Sequence, residues 1–158
     1  MMIDKTRLEA RTVDFDLNCA VSVAVPADVR NYTARWGLDY NAGTAALNVH
    51  GVFTPLTDYF YGCTMQDGST IDLSGRSEAW STRSLFTQGS RDVSFANDAT
   101  VTIDIGSRKI ARGDYIVKWP QPPQNLETLK FKLKNGKGAV RASNEGLFYL
   151  SGFVILFK

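Results

Sequence analysis

Two-residue alternation of apolar and polar side chains runs through most of this chain and restricts it to half-buried β-strands. Val13-Asp14-Phe15-Asp16-Leu17 sets apolar groups on one face and carboxylates on the other. Val21, Val23 and Val25 continue around Ser22 and Ala24, and Ala45, Leu47 and Val49 alternate around Asn48. The same rhythm returns at Ile71-Asp72-Leu73, Val93-Ser94-Phe95, Val101 to Ile105, and Leu129 to Lys134. Successive side chains of a strand point to opposite faces, and branched and aromatic residues suit a pleated, half-covered surface. Only Asp4 to Arg11 has any helical character, and its apolar stripe is too thin to hold a helix in water.

Gly, Asn, Asp and Ser separate the strands at Asn41-Ala42-Gly43, Gln66-Asp67-Gly68, Ser74-Gly75, Gln88-Gly89-Ser90 and Asn97-Asp98. Asn135-Gly136 reads as a tight hairpin turn, because both residues tolerate positive φ. Trp119-Pro120-Gln121-Pro122-Pro123 differs: its prolines remove ladder donors and fix an extended crossing.

A short internal repeat favours one β-architecture over another. Leu47-Asn48-Val49-His50-Gly51 matches Ile71-Asp72-Leu73-Ser74-Gly75 at an offset of 24 residues, and Ile103-Asp104-Ile105-Gly106 shortens the pattern. Asp67-Gly68-Ser69-Thr70-Ile71 matches Asn97-Asp98-Ala99-Thr100-Val101 at an offset of 30. Spacings of this size suit one coil of three short strands, and stacked coils bury a continuous inner column. The expected fold is all-β, a right-handed parallel β-helix (β-solenoid) with a C-terminal capping hairpin; a β-sandwich or jelly roll is the alternative. The 158 residues fit a single domain, with stacked coils over about 12–118, the proline connector over 119–125 and capping strands over 126–158.

Composition removes several functions. Eighteen basic and 16 acidic groups leave a formal charge of +2, which makes no case for nucleic acid. No apolar run approaches the roughly 20 residues of a membrane helix. The N-terminus is charged at once, so no signal peptide is visible, which favours the cytoplasm if the chain is complete. Cys19 and Cys63 could form one disulfide but are expected as two buried thiols, and the single His50 has no partners at metal-ligand spacing. No cofactor motif is present, and no G-x-S-x-G, H-E-x-x-H or phosphate-binding glycine loop.

The stretches Gly51 to Gly75 and Val93 to Gly106, with the terminal Asn144-Glu145-Gly146-Leu147-Phe148-Tyr149-Leu150, resemble passenger regions of bacterial autotransporter-like surface proteins. The resemblance covers roughly residues 44–150. It implies a parallel β-helix, export, and an adhesive or structural role at the cell surface or outside it, with glycans or host-surface components as partners. The chain departs from that family in showing neither an export signal nor a C-terminal membrane barrel, which fits either a fragment of a longer exported protein or a free-standing reuse of the fold.

Candidate chemistry is sparse. Asp14 and Asp16 share a strand face, and Asp72 and Asp104 occupy matching repeat positions; each pair could bind a cation or simply form a solvated face. A polysaccharide-active enzyme would need Asp14 or Asp72 to converge with a basic group such as Arg76. Tyr59, Tyr61 and Trp80 are candidate glycan contacts, since exposed rings stack on sugars, and the same rings equally suit a core. Lys130, Lys132, Lys134, Lys137 and Arg141 make a basic stripe that either attracts anions or keeps an edge strand from pairing. Phe153 to Phe157 reads as a buried last strand. The functional expectation is a non-catalytic structural or adhesive module, with carbohydrate binding as the alternative.

Overall fold

The computed structural model describes residues 21–22, 27–34, 40–41, 47–56, 58, 60, 62–85 and 92–151, with side chains from residue 48 onward. Expectations that fall on Asp14, Asp16, Cys19, Tyr59, Tyr61 and 153–157 lie outside these residues. Every regular element among them is a strand: β1 Val21–Ser22, β2 Ala27–Ala34, β3 Tyr40–Asn41, β4 Leu47–Pro55, β5 Cys63–Met65, β6 Thr70–Asp72, β7 Trp80–Ser81, β8 Val93–Phe95, β9 Thr100–Asp104, β10 Tyr115–Lys118, β11 Lys130–Lys134, β12 Gly138–Ser143 and β13 Gly146–Ser151.

Seven of these form one curled sheet in which every pairing is parallel. The long β4 carries β2 on one side. On the other it carries β5 beside its first half and β6 beside its second. β5 is followed by β8, and β6 by β9 and then β11. The register explains why these short segments stay strands. Cys63 faces Val93 and Met65 faces Phe95, whereas Phe53, Ile71, Ile103 and Leu133 form a continuous inner row. Phe53, Ile71 and Ile103 are fully buried. Each such side chain contributes about 1.5–3 kcal/mol by leaving water.

The corners repeat as well. Gly68 and Asp98, 30 positions apart, take positive φ of 77° and 57°. The Gly68 N–H donates to the Thr100 carbonyl at 2.9 Å, and the Thr100 N–H to Asp67 Oδ1 at 2.8 Å, so one corner is bonded onto the next.

A second sheet has the order β12-β13-β10-β7. β7 and β10 are parallel, and β13 pairs antiparallel with both β10 and β12. Its Trp80, Ile116, Val117 and Leu147 pack with the inner face of the curled sheet in one core. Phe53, Phe60 and Trp80 meet there with ring centroids 5.4–5.7 Å apart.

Two expectations are corrected. The 24-residue match is not a structural register: Ile71 lies beside Phe53 and Ile103, and Leu47 beside Ala27. The pattern misleads because Gly51 sits inside β4 and the strand runs on through it, whereas Gly75 lies in a turn. The observed offsets are 18 at Phe53–Ile71, 32 at Ile71–Ile103 and 30 at Val101–Phe131. Asn135-Gly136 is not a hairpin turn either. Asn135 does adopt φ of 61°, but β11 pairs with β9 and β12 with β13, so the chain crosses between sheets there. The hairpin loop is Asn144-Glu145, between the facing residues Ser143 and Gly146.

Candidate functional site

The parallel register sets like positions of successive strands side by side on the outer face. Asn48, Thr64 and Ser94 form one row, Val52, Thr70, Thr102 and Lys132 a second, and Asp72, Asp104 and Lys134 a third. Hydrogen bonds run along the rows, with the Thr64 and Ser94 hydroxyls 2.9 Å apart and Gln66 Nε2 donating to Asn48 Oδ1 at 3.0 Å.

The third row concentrates charge. Asp72 and Asp104 face one another in register, as their repeat positions suggested. Each accepts from the N–H two residues on, Ser74 for Asp72 and Gly106 for Asp104, both at 2.9 Å. Asp104 is only 8% exposed. Its other bonds come from Lys134 Nζ and Asn135 Nδ2 at 2.9 and 2.8 Å. Burial pushes this carboxyl up, but the bonds from Lys134, the Gly106 N–H and Asn135, with the Lys134 charge, hold it below its ordinary value. The same pair raises the Lys134 ammonium. An ammonium and an amide thus take the acceptor positions a cation would need on Asp104. No group of three or more His, Cys, Asp or Glu could hold a metal ion among the described residues.

Beyond each aspartate the turn carries an arginine: Asp72-Leu73-Ser74-Gly75-Arg76 and Asp104-Ile105-Gly106-Ser107-Arg108. Both turns close with the arginine N–H on the carbonyl three residues back. Arg76 pairs with Asp58 at 2.5 Å, whereas the Arg108 guanidinium donates, among the described residues, only to the Ser77 and Glu78 carbonyls. Burial, and then the Arg76 charge, lower the Arg108 guanidinium. This is a turn stack held by charge and hydrogen bonds, and among the described residues the carboxylate that Arg76 meets is Asp58.

Of the aromatic candidates, Trp80 lies among the described residues. Trp80 is fully buried between Phe53 and Phe60 and offers no face to a sugar. His50 is exposed on β4. Cys63 is free and buried, and burial pushes its thiol well up.

A concavity that sequence reasoning missed lies between β8 and the proline connector. Its volume is about 410 Å³, and Ser94, Asn97, Trp119, Gln121, Pro122 and Gln124 contribute to its wall. It exists because residues 119–125 run past β8 without pairing with it as β11 pairs with β9. Prolines cannot donate to the ladder. Asn125 tethers the connector instead, its Nδ2 donating to the Phe95 and Ala96 carbonyls at 3.3 and 3.0 Å. The three prolines are the sequence signal for the concavity, since they keep this segment out of the ladder. Comparison of the chain with protein-family models, with curated proteins and with solved structures finds no match.

Proposed function

We propose that the chain is a non-catalytic β-solenoid module of a bacterial surface or secreted protein, with a structural and adhesive role. The observation that carries this reading is the set of outward rows. Parallel strands about 30 residues apart in sequence present hydroxyl, amide and charged groups in straight lines across the sheet. Such a surface gives many weak, regularly spaced contacts on a rigid frame, which suits attachment to an extended ligand. The resemblance of residues 44–150 to autotransporter passengers supports the same reading, and with it a location outside the cell.

The test is binding of the labelled, purified chain to intact cells and to a broad glycan panel. A Ser94→Arg/Thr102→Arg variant, altered on two outward rows, serves as the comparison. The reading expects saturable binding by the parent and its loss in the variant, with circular dichroism and melting unchanged. No saturable binding anywhere would refute adhesion, and depolymerisation of an offered polysaccharide would refute the non-catalytic assignment.

Carbohydrate binding is the second reading, and the concavity beside the connector favours it. Its amide side chains supply both donors and acceptors. Trp119 in its wall makes tryptophan fluorescence the readout: titration with a bound oligosaccharide shifts emission in the parent and not in a Gln121→Ala/Gln124→Ala variant. An unchanged spectrum across the panel contradicts it.

A further inference from the structure

We propose that the edge of β11 turned away from β9, with which no described strand pairs, is a strand-docking site for an extended peptide segment in which apolar residues alternate with carboxylates. This stands on the register of β11 and not on what the outer rows bind.

Three features of the edge select that partner. First, β11 ends the curled sheet, and no strand among the described residues pairs with its far side. The Lys130 N–H donates to Ala99 and the Lys134 carbonyl accepts from Ile105, so the even-numbered residues bond to β9. Backbone groups alternate in direction along a parallel strand, so those of Phe131 and Leu133 point away from β9. Second, Phe131 and Leu133 are only half-buried, although they continue the inner rows of Val101 and Ile103. Phe131 packs edge-on against Phe95 with centroids 5.6 Å apart and lies 6.3 Å from Trp119, and no described strand runs along its other side. An added strand with apolar residues facing inward would cover both. Third, Lys130, Lys132 and Lys134 stand exposed on the outward face of the same strand. Asp104 neutralises Lys134, and no ion pair is formed by Lys130 or Lys132 among the described residues.

The lysines refuse another lysine-bearing edge and accept an acidic one, so one device both prevents edge-to-edge association of copies and chooses the partner. A polyanion alone would use the charge and leave the Phe131 and Leu133 backbone unbonded. The strand partner uses both.

The chain's own sequence supplies a probe with the required alternation: a fluorescent peptide of Thr12-Val13-Asp14-Phe15-Asp16-Leu17-Asn18. It is titrated by anisotropy against the full chain and against a full chain carrying Asp14→Lys and Asp16→Lys, whose own segment no longer competes. Binding to at least one of them is expected. It should weaken about tenfold in a Lys130→Glu/Lys132→Glu chain of unchanged circular dichroism, or when the peptide aspartates are lysines, a difference of about 1.4 kcal/mol. N-methylation of alternate peptide amides should abolish binding for one set and spare it for the other, because only one set faces β11. Binding to neither chain overturns the proposal. So does binding that is indifferent to both methylation sets and is displaced by heparin, which would make the stripe a general anion surface.

Discussion

Replacing Gly106 with alanine should cost far more than the same change at Gly68, and the difference measures how tightly successive turns are stacked. Both glycines have positive φ, 55° and 77°, so each substitution meets the left-handed penalty of about 1 kcal/mol. Their surroundings differ. A Cβ at Gly68 would meet nothing within 4 Å, whereas one at Gly106 would lie 2.6 Å from Ser74 Cβ and 3.2 Å from Ser74 Cα. Neither Ser74 atom is the free end of a flexible side chain, so relief requires separating the turn after β6 from the turn after β9. Overpacking of this kind costs about 1–3 kcal/mol. Gly106→Ala should therefore destabilise by about 2–4 kcal/mol and Gly68→Ala by about 1. At roughly 2–4 °C per kcal/mol for a chain of this size, Tm should fall by about 4–16 °C and 2–4 °C respectively. Urea unfolding and thermal melts followed by circular dichroism provide the assay. Adding Ser74→Gly to Gly106→Ala removes the atom in collision and should restore most of the excess loss. Equal losses at the two glycines, or no rescue, would refute the stacked-turn argument.

Further consequences follow from particular side chains. Phe60→Ala, at the centre of the Phe53–Phe60–Trp80 cluster, should lower stability by about 3–5 kcal/mol in urea unfolding, and Phe131→Ala by clearly less because that ring is half-covered. Asp104→Ala should cost about 2 kcal/mol, since it unmakes charge-assisted bonds at a nearly buried carboxylate. A carboxyl held below its ordinary value stabilises the fold above the unfolded-state pKa of about 4 and loses that contribution as pH falls through the folded value. The stability gap between the parent and Asp104→Asn should accordingly be constant near neutral pH and shrink below about pH 4. Cys63 should resist iodoacetamide in the native state and react on denaturation, as read by peptide mass at Cys63; prompt native labelling would contradict its burial.

The strands were legible because burial of one face imprints a period of two, and Val93-Ser94-Phe95 and Thr100 to Asp104 appear as strands with the expected faces inward. The stacked corners at Gly68 and Asp98 were legible too, as each needs a residue that tolerates positive φ. Register was not. A pattern of apolar, polar, apolar, polar, Gly fits a strand that turns at its glycine and a strand that runs through it, and only tertiary pairing separates Gly75 from Gly51. The loop at Asn144-Glu145 lacks the Asn-Gly signature and was missed for that reason. Trp80 shows the limit for candidate sites: a ring type that suits a sugar platform suits a core equally, and burial is a property of the folded neighbours. The connector's prolines announced that 119–125 would not pair, but the concavity depends on β8 lying alongside, which the sequence does not encode locally.

The central claim is that β5 and β8, and β6, β9 and β11, lie side by side in parallel at offsets of 30–32 residues. Paired cysteines test it most directly, in a Cys19→Ser/Cys63→Ala background under mild oxidation, with the bonds mapped by mass spectrometry. Thr70 and Thr102 are register partners on neighbouring strands, so Thr70→Cys/Thr102→Cys should form an intramolecular disulfide. Asn48 and Asp72 match at the offset of 24 but lie roughly 15–20 Å apart along β4, so Asn48→Cys/Asp72→Cys should stay reduced. Closure of the second pair and not the first would contradict the stacking.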